Sequence, residues 1–218
     1  ETLCLRTLGM GQTPATRMVP PSLAEASEMP RVQIPGFDPA LAKAAMKRVK
    51  PDALATMGER PLQLLFNASV GHRMIASAVQ EDLKKTLGLE IELQALEWAT
   101  LLERMRKGDF DIARLSWCAA MPDPLEFLQG LRTGDEGNAP GYANADFDAW
   151  LDRAAGSDDA LARASWLGRA EQRAMNDKPM IPLYFYTRAL LARPCVEGLT
   201  PNPLEVQRYE QIDLSSCR

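Results

Sequence analysis

Residue types that commonly carry acid–base, nucleophilic or metal chemistry are few in this sequence of 218 residues. It contains one histidine, His72, and four cysteines, Cys4, Cys118, Cys195 and Cys217, none of which forms a CxxC pair. Zinc sites are usually built from closely spaced cysteine and histidine ligands, so no such site is predicted. The GxSxG, HExxH and Walker patterns are also absent. The sequence therefore predicts no metal, no cofactor and no catalytic centre.

One acidic pair, Asp109 and Asp111, lies two positions apart in a predicted strand, so both side chains share one face. The pair admits two interpretations, a cation-binding site or the solvated beginning of a strand. We favour the second, because aspartate side chains are mostly exposed to water.

The four cysteines allow three complete pairings, and the sequence does not select among them. One interpretation is that they are buried free thiols. Another is that Cys195 and Cys217 close a short C-terminal loop, provided that the compartment is oxidising.

The composition is that of a soluble globular protein, with 46% hydrophobic and 25% charged residues. Lys and Arg number 25 and Asp and Glu number 29, giving a net charge of −4 without a basic run, which argues against nucleic acid as a partner. No apolar run reaches the roughly 18 to 20 residues of a membrane-spanning helix. The opening ETLCLRTLG lacks an initiating methionine and a signal-peptide pattern, so we expect a fragment of a longer protein.

Hydrophobic periodicity predicts strands that alternate with helices after an irregular, Gly- and Pro-rich segment at residues 9–37. Strands that alternate with helices favour an α/β layer with a mixed or parallel sheet. The predicted strands are at 61–66, 89–93, 109–117 and 180–191, and the predicted helices begin at Asp38, Val70, Trp98, Asp123, near Phe147 and at Asp158.

Several stretches together resemble a known family. They are LLFNASVGHRMIA, GDFDIARLSWCAAMPDP, FDAWLD and AEQRAMNDKPMIPLYFYTRALLARP, in that order. The sequence resembles the C-terminal half of the oligopeptide- and dipeptide-binding proteins of bacterial ABC importers, the family 5 solute-binding proteins. The resemblance implies one lobe of a type II periplasmic-binding-protein fold, with a mixed sheet flanked by helices.

The resemblance also implies a domain organisation and partners. Residues 1–193 would form a C-terminal ligand-binding lobe, and residues 194–218 a tail that crosses toward a missing N-terminal lobe of the same chain. The protein would be periplasmic and would not be an enzyme. Its partners would be a small peptide or peptide-like ligand and an ABC permease in the inner membrane.

The family's ligand contacts can be transferred only where residues match. Arg114 matches a cleft arginine that pairs with a ligand carboxylate, for which a planar guanidinium is suited. His72 matches a residue that contacts the carboxylate end of longer peptides. Trp117 matches a tryptophan that walls a side-chain pocket, and Tyr186 matches a cleft tyrosine at the end of the last strand.

Two further residues of the predicted cleft turn, Ser116 and Cys118, would offer backbone groups to an extended peptide. Each transferred residue also has a structural interpretation. Arg114 is compatible with a salt bridge on the face of a strand, and His72 with the exposed start of a helix. Trp117 and Tyr186 are compatible with an ordinary hydrophobic core.

The sequence departs from the family at Ala120. Oligopeptide binders carry an aspartate there that neutralises the α-amino group of the peptide, and Asp123, in a predicted helix cap, is too far along the chain to replace it. A buried ammonium without a partner is costly. We therefore expect a ligand that lacks a free α-amine at this position or whose amine is held by the other lobe.

Other functions remain open at this stage. The chain could belong to a ligand-sensing module that feeds a receptor, or it could bind a non-peptide solute with the same fold. A hydrolase lobe would need a nucleophile paired with a base, and no sequence motif pairs His72 with a serine or cysteine.

Overall fold

The computed structural model describes residues 2–52, 58, 60–187, 190–200 and 207–217 of the chain. The strands and helices alternate much as the periodicity predicts, after a short π-helical segment at Leu3–Leu8. In chain order they are β1 (Thr13–Pro14), α1 (Pro39–Met46), β2 (Leu62–Asn67), α2 (Val70–Leu87), β3 (Ile91–Leu96), α3 (Trp98–Arg106), β4 (Ile112–Ala113), α4 (Pro124–Leu128), α5 (Ala145–Ala155), α6 (Ala160–Asp177) and β5 (Tyr184–Phe185).

Helices α1, α2, α4, α5 and α6 begin where a short polar side chain caps their first amide groups, whereas α3 has no such side-chain cap. The Asp38 carboxylate accepts hydrogen bonds from the backbone N–H groups of Ala40 and Leu41 at 2.8 and 2.9 Å, which starts α1. The Ser69 hydroxyl accepts one from the His72 N–H at 3.1 Å, which starts α2. Helix α2 ends at Gly88, whose φ of 72° is in the left-handed region that favours glycine.

The cap of α6 differs from the prediction by one residue. The sequence indicates Asp158, but the structure uses Asp159, whose carboxylate accepts from the N–H groups of Leu161 and Ala162 at 2.9 and 3.1 Å. A capping side chain reaches the amides two and three positions ahead, and the helix begins at Ala160, so only Asp159 has the right spacing.

Three strands form a parallel sheet in the order β3-β2-β4. Its register pairs Leu64 of β2 with Leu93 of β3 and with Ile112 of β4. Strands β1 and β5 form a separate antiparallel pair. The α/β architecture with flanking helices is confirmed, with the parallel and antiparallel pairings in two separate sheets.

Successive residues of β2 point to opposite faces of the sheet and pack against different helices. Leu64 and Phe66 contact Ala76 of α2, whereas Leu65 packs with Leu101 and Met105 of α3. A third and larger core joins helices α4, α5 and α6 to the segment at 18–34. Its buried members include Val19, Leu23, Leu128, Leu131, Phe147, Leu151 and Leu167.

Glu171 of α6 connects the irregular N-terminal segment, at residues 17–19, to the helical core through hydrogen bonds. Its side chain is fully buried and accepts hydrogen bonds from the N–H groups of Met18 and Val19 at 2.9 and 2.8 Å. Its carboxylate also pairs with the Arg17 guanidinium at 2.5 Å. Two backbone N–H groups in a bend outside any strand are thus satisfied by one carboxylate, which the sequence pattern did not indicate.

Two strand predictions were too long. At 109–117 only Ile112–Ala113 is a strand, because the chain then leaves β2 and Leu115 to Cys118 are exposed. An alternating pattern describes residue polarity, but a strand also needs a neighbouring strand to supply hydrogen bonds. At 180–191 the structure shows Tyr184–Phe185, and residues 188–189 lie outside the described residues.

The cysteines divide into a bonded pair and two free thiols. Cys195 and Cys217 form a disulfide, which confirms the predicted C-terminal loop closure. Cys4 is a buried free thiol, whereas Cys118 is free and exposed. Among the described residues, none of the helices has the length and apolar character needed to cross a membrane.

Candidate functional site

The candidate site begins where two parallel strands end. Strands β2 and β4 run in the same direction, so Asn67 and Ala113 both lie toward the carboxyl edge of the sheet. The chain continues from there to His72 in the first turn of α2 and to Arg114. Ligands of open α/β sheets bind outside the carboxyl ends of the strands.

Arg114 is a buried cation without a carboxylate partner in the described part of the chain. Its side chain and backbone together are 9% exposed, and its N–H donates to the Leu65 carbonyl at 2.8 Å. Its guanidinium donates to the Tyr184 hydroxyl at 3.4 Å and to the Tyr186 hydroxyl. The predicted alternative of a strand-face salt bridge therefore finds no support here, since both partners are neutral hydroxyls.

Two tyrosines, Tyr184 in β5 and Tyr186 just after it, contact Arg114. The rings of Tyr184 and Tyr186 are 5.0 Å apart, and the Arg114 guanidinium lies 5.9 Å from the centre of the Tyr186 ring. Burial, followed by hydrogen bonding to Tyr186, raises the pKa of Tyr184 to about 12. Tyr184 was missed in the sequence, although the spacing of two in YFY places it on the same face as Tyr186.

The positive charge of Arg114 acts on the nearby imidazole of His72. Burial lowers the pKa of His72 below its usual value of 6.5, and the positive charge of Arg114 lowers it further. Its Nδ1 lies 3.2 Å from the Asn67 carbonyl oxygen, which can only accept a hydrogen bond. The neutral ring therefore carries its proton on Nδ1 and leaves Nε2 as an acceptor.

The turn at 115–122 follows Arg114 and carries the remaining predicted residues. Ser116, Cys118 and Ala120 are exposed, and Trp117 is 43% exposed. The Trp117 indole N–H donates to the Glu126 carbonyl of α4 at 3.0 Å, so its bond is to the helix that follows the turn. The half-exposed ring does not form part of any of the buried cores, contrary to the alternative of an ordinary core residue.

Asp123 is occupied by structural bonds, as expected for a helix cap. One of its oxygens accepts from the Leu125 N–H at 2.8 Å, and both accept from the Arg163 guanidinium at 2.8 Å. The turn itself, LSWCAAMP, has no acidic side chain. The turn at 115–122 itself therefore supplies no carboxylate beside Ala120.

Asp109 and Asp111, the acidic pair noted in the sequence, each form an ion pair with an arginine. Asp111 accepts from Arg60 at 2.6 Å and from the Gln63 N–H at 2.8 Å, and Asp109 pairs with Arg104 at 2.8 Å. These bonds fit the interpretation as the polar beginning of a strand. No cluster of three or more metal-binding side chains occurs among the described residues.

Comparison with known proteins connects this arrangement to a family. The family model for the bacterial extracellular solute-binding proteins, family 5, middle region, matches residues 4–139. The chain belongs to this family. The expected membership is confirmed, and the sheet edge with Arg114 and the whole turn at 115–122 lie within the matched region.

Two curated relatives show the extent of the likeness. The chain is 33% identical to the probable deoxycholate-binding periplasmic protein YgiS of Escherichia coli over 203 residues, which are 91% of this chain and 37% of that protein. It is 34% identical to the periplasmic oligopeptide-binding protein OppA of Salmonella typhimurium over 150 residues, 67% of this chain and 28% of that protein. The chain thus spans about a third of the length of such relatives.

A solved family 5 structure confirms the fold. The Escherichia coli murein tripeptide binding protein MppA superposes with a TM-score of 0.78 at 29% identity, covering 93% of this chain and 39% of that one. The predicted fold class, a periplasmic-binding-protein-like lobe, is therefore confirmed.

Proposed function

We propose that this chain is the C-terminal lobe of a two-lobed solute-binding protein, which captures a peptide or peptide-like ligand in the periplasm for an ABC permease. Residues 1–193 would form the ligand-binding lobe, and residues 194–218 would lead back toward the other lobe. We use "two-lobe protein" below for this lobe joined to its N-terminal partner. Similarity to OppA and MppA, both named as peptide binders, supports the peptide class.

The observation that carries the proposal is the buried charge of Arg114 at the carboxyl edge of the sheet. A buried cation is stable when an anion pairs with it, and here its partners are the hydroxyls of Tyr184 and Tyr186. A ligand carboxylate can take the remaining donors of the guanidinium in a bidentate pair. Binding and release are the only steps required, and none of them uses covalent chemistry.

Ala120 favours a ligand that carries no charge in the part that lies beside this residue, away from the carboxylate bound by Arg114. The methyl side chain suits an acylated or apolar group, whereas a free ammonium would lose its hydration without a counter-charge. Similarity to YgiS, named as a probable deoxycholate-binding protein, supports this second candidate class, since deoxycholate is a carboxylate without an amine.

Calorimetry on this chain and on the two-lobe protein tests the proposal. The chain alone should bind carboxylate ligands no more tightly than roughly millimolar, because one lobe leaves the ligand open to water. The two-lobe protein should bind at least one acid among N-acetyl tripeptides and deoxycholate far more tightly than its methyl ester. Submicromolar binding by this chain alone would contradict the two-lobe assignment, and equal binding of acid and ester would contradict the role of Arg114.

A further inference from the structure

Two glycines beside Trp117 have no backbone reason to be glycine. Gly130 lies in the 3-10 turn Gln129–Leu131, and Gly137 lies in the loop that follows. Neither is among the glycines with positive φ, the conformation in which a side chain is disfavoured. An alanine would therefore be compatible with the backbone at both positions.

The space that a side chain would need is filled by the indole. A Cβ atom on Gly130 would lie 2.8 Å from Cη2 and 3.1 Å from Cζ2 of Trp117. A Cβ atom on Gly137 would lie 3.2 Å from Cη2 and 3.4 Å from Cζ3 of Trp117, and 3.1 Å from Oδ1 of Asp135. The tip of the six-membered ring thus sits in a notch between the two glycines, which we call the glycine seat.

The ring is held at a second point, on its five-membered part. Its Nε1 donates to the Glu126 carbonyl oxygen at 3.0 Å, while 43% of the residue remains exposed. Two restraints on different edges of one rigid plane fix both its position and its tilt. If a side chain filled the seat, the indole would have to move away from the two glycines.

We propose that Gly130 and Gly137 are positioning residues that seat Trp117 and so set the size of the ligand subsite beside it. The proposal rests on the proposed function, together with the family resemblance, which implies that Trp117 walls that subsite. Because neither glycine has a side chain, the indole lies against them and leaves room in the subsite for a bulky ligand group. A methyl group at position 130 displaces the ring toward the ligand, which narrows the subsite and excludes bulky groups before small ones.

Fluorine NMR on this chain tests the seat without any ligand. The protein labelled with 5-fluorotryptophan has four tryptophans and so four resonances, and the one lost in Trp117→Phe belongs to Trp117. Gly130→Ala should shift that resonance and increase its exposure to a soluble paramagnetic quencher. Gly156→Ala is the matched control, because a Cβ atom there meets only the Asp152 carbonyl at an ordinary 3.5 Å.

Gly137→Ala provides a second variant if Gly130→Ala does not fold, since its closest indole contact is looser by 0.4 Å, from 2.8 to 3.2 Å. Its Cβ atom would also lie 3.1 Å from Asp135 Oδ1, the mobile end of an exposed side chain. Gly137→Ala should shift the same resonance by a smaller amount. An unchanged Trp117 resonance in a folded seat variant would overturn the proposal.

Binding by the two-lobe protein tests the consequence for specificity. The probes are N-acetyl-Ala-Phe-Ala, N-acetyl-Ala-Ala-Ala and deoxycholate. Gly130→Ala should weaken the bulkiest ligand that the wild type binds by about tenfold, the size of effect expected for a modest steric misfit. It should have no further effect in a Trp117→Leu background, because the two residues act through one contact.

The outcomes separate the seat from the proposed function. A loss of affinity that persists in the Trp117→Leu background would overturn the positioning role. If Trp117→Ala itself leaves binding unchanged while Gly130→Ala shifts the resonance, the seat stands and the ligand-wall role of Trp117 fails. If none of the three probes binds the wild type, the proposed function fails for those ligand classes, and the NMR result alone decides the seat.

Discussion

The described residues bury two charged side chains, Glu171 and Arg114, and these differ in what surrounds the charge. Glu171 faces the Arg17 guanidinium and two backbone N–H groups, so its charge and its lone pairs are satisfied within the fold. Arg114 faces two phenol hydroxyls, which accept hydrogen bonds but carry no charge. Burial alone therefore does not distinguish these two charges, whereas the absence of a charged partner for Arg114 among the described residues does.

The difference has a consequence for stability and binding. Removing a fully paired buried charge leaves its partners uncompensated, which destabilises the folded state. Removing a buried charge that lacks a counter-charge relieves a desolvation cost, so stability changes little. The main effect is then on the affinity for a ligand that pairs with that charge. The two residues should therefore respond to mutation in opposite ways, and the following predictions test that contrast from the largest effect to the smallest.

Replacing Glu171 with alanine should lower the free energy of unfolding by about 3 to 5 kcal/mol, because Arg17 and two amides lose their acceptor. Urea denaturation followed by circular dichroism measures this change. Glu103→Ala is the control, since Glu103 is exposed and pairs only with Lys107, and it should change the free energy of unfolding much less. A Glu171→Ala protein as stable as that control would contradict the assignment of Glu171 as an anchor.

Replacing Arg114 with methionine should leave the free energy of unfolding within about 1 kcal/mol of the wild type, since the stem remains and the desolvation cost disappears. In the two-lobe protein it should weaken carboxylate ligands by roughly ten- to over a hundredfold, the loss of a charge-assisted hydrogen bond. Both quantities are measured on one preparation. A lower stability with unchanged affinity would instead identify Arg114 as a structural residue.

Replacing Ala120 with aspartate should change the preferred ligand. In the two-lobe protein the variant should favour a free-amine tripeptide over its N-acetyl form by on the order of 1 to 3 kcal/mol relative to the wild type. Competition binding with the two peptides measures the shift. Ala143→Asp adds the same charge at an exposed loop position and should shift nothing. A wild type that already prefers the free amine, together with no effect of Ala120→Asp, would contradict the subsite.

The smallest effect concerns the pKa of His72, the only histidine of the chain. NMR titration of its ring should give a midpoint below 6.5, because burial and the charge of Arg114 both lower the pKa. Arg114→Met should raise the midpoint without restoring 6.5, since burial is the larger cause and remains. A midpoint at or above 6.5 in the wild type would contradict the described environment.

The same shift makes stability depend on pH. The folded state holds His72 with a pKa below its unfolded value, so the contribution of this group is fully present above about pH 6.5 and is lost as pH falls through the folded pKa. The free energy of unfolding of the wild type should therefore fall more between pH 7 and pH 5 than that of His72→Asn. Equal pH dependence in the two proteins would show that His72 titrates alike in both states.

Local features of the fold were predictable because their causes lie within a few residues. Asp38-Pro39 and Asp123-Pro124 begin helices, Gly88 ends one, and the alternating segments around Leu64 and Leu93 pair as parallel strands. The limits of the strands were not predictable, because β4 ends where its contact with β2 ends. The choice of Asp159 over Asp158 as a cap likewise depends on where the first helical turn forms.

The candidate site was only partly predictable, for the same reason. Residue types and family resemblance pointed to His72, Arg114, Trp117 and Tyr186 one by one. The contacts between them join positions far apart in the chain, such as Arg114 and Tyr186, which are 72 residues apart. Neither the hydroxyl partners of Arg114 nor the glycine seat of Trp117 has a local pattern.

The sequence by itself determined the helix ends at Asp38, Asp123 and Gly88, the alternation of strands and helices, the family and the absence of an acidic side chain in the turn at 115–122. Only the tertiary structure decided which buried charge is satisfied, because Glu171 meets Arg17 across 154 residues of chain and Arg114 meets Tyr184 across 70. Local preferences depend on neighbouring residues and can be read along the chain. The environment of a charge depends on every element packed around it, so its role emerges only when those elements are assembled.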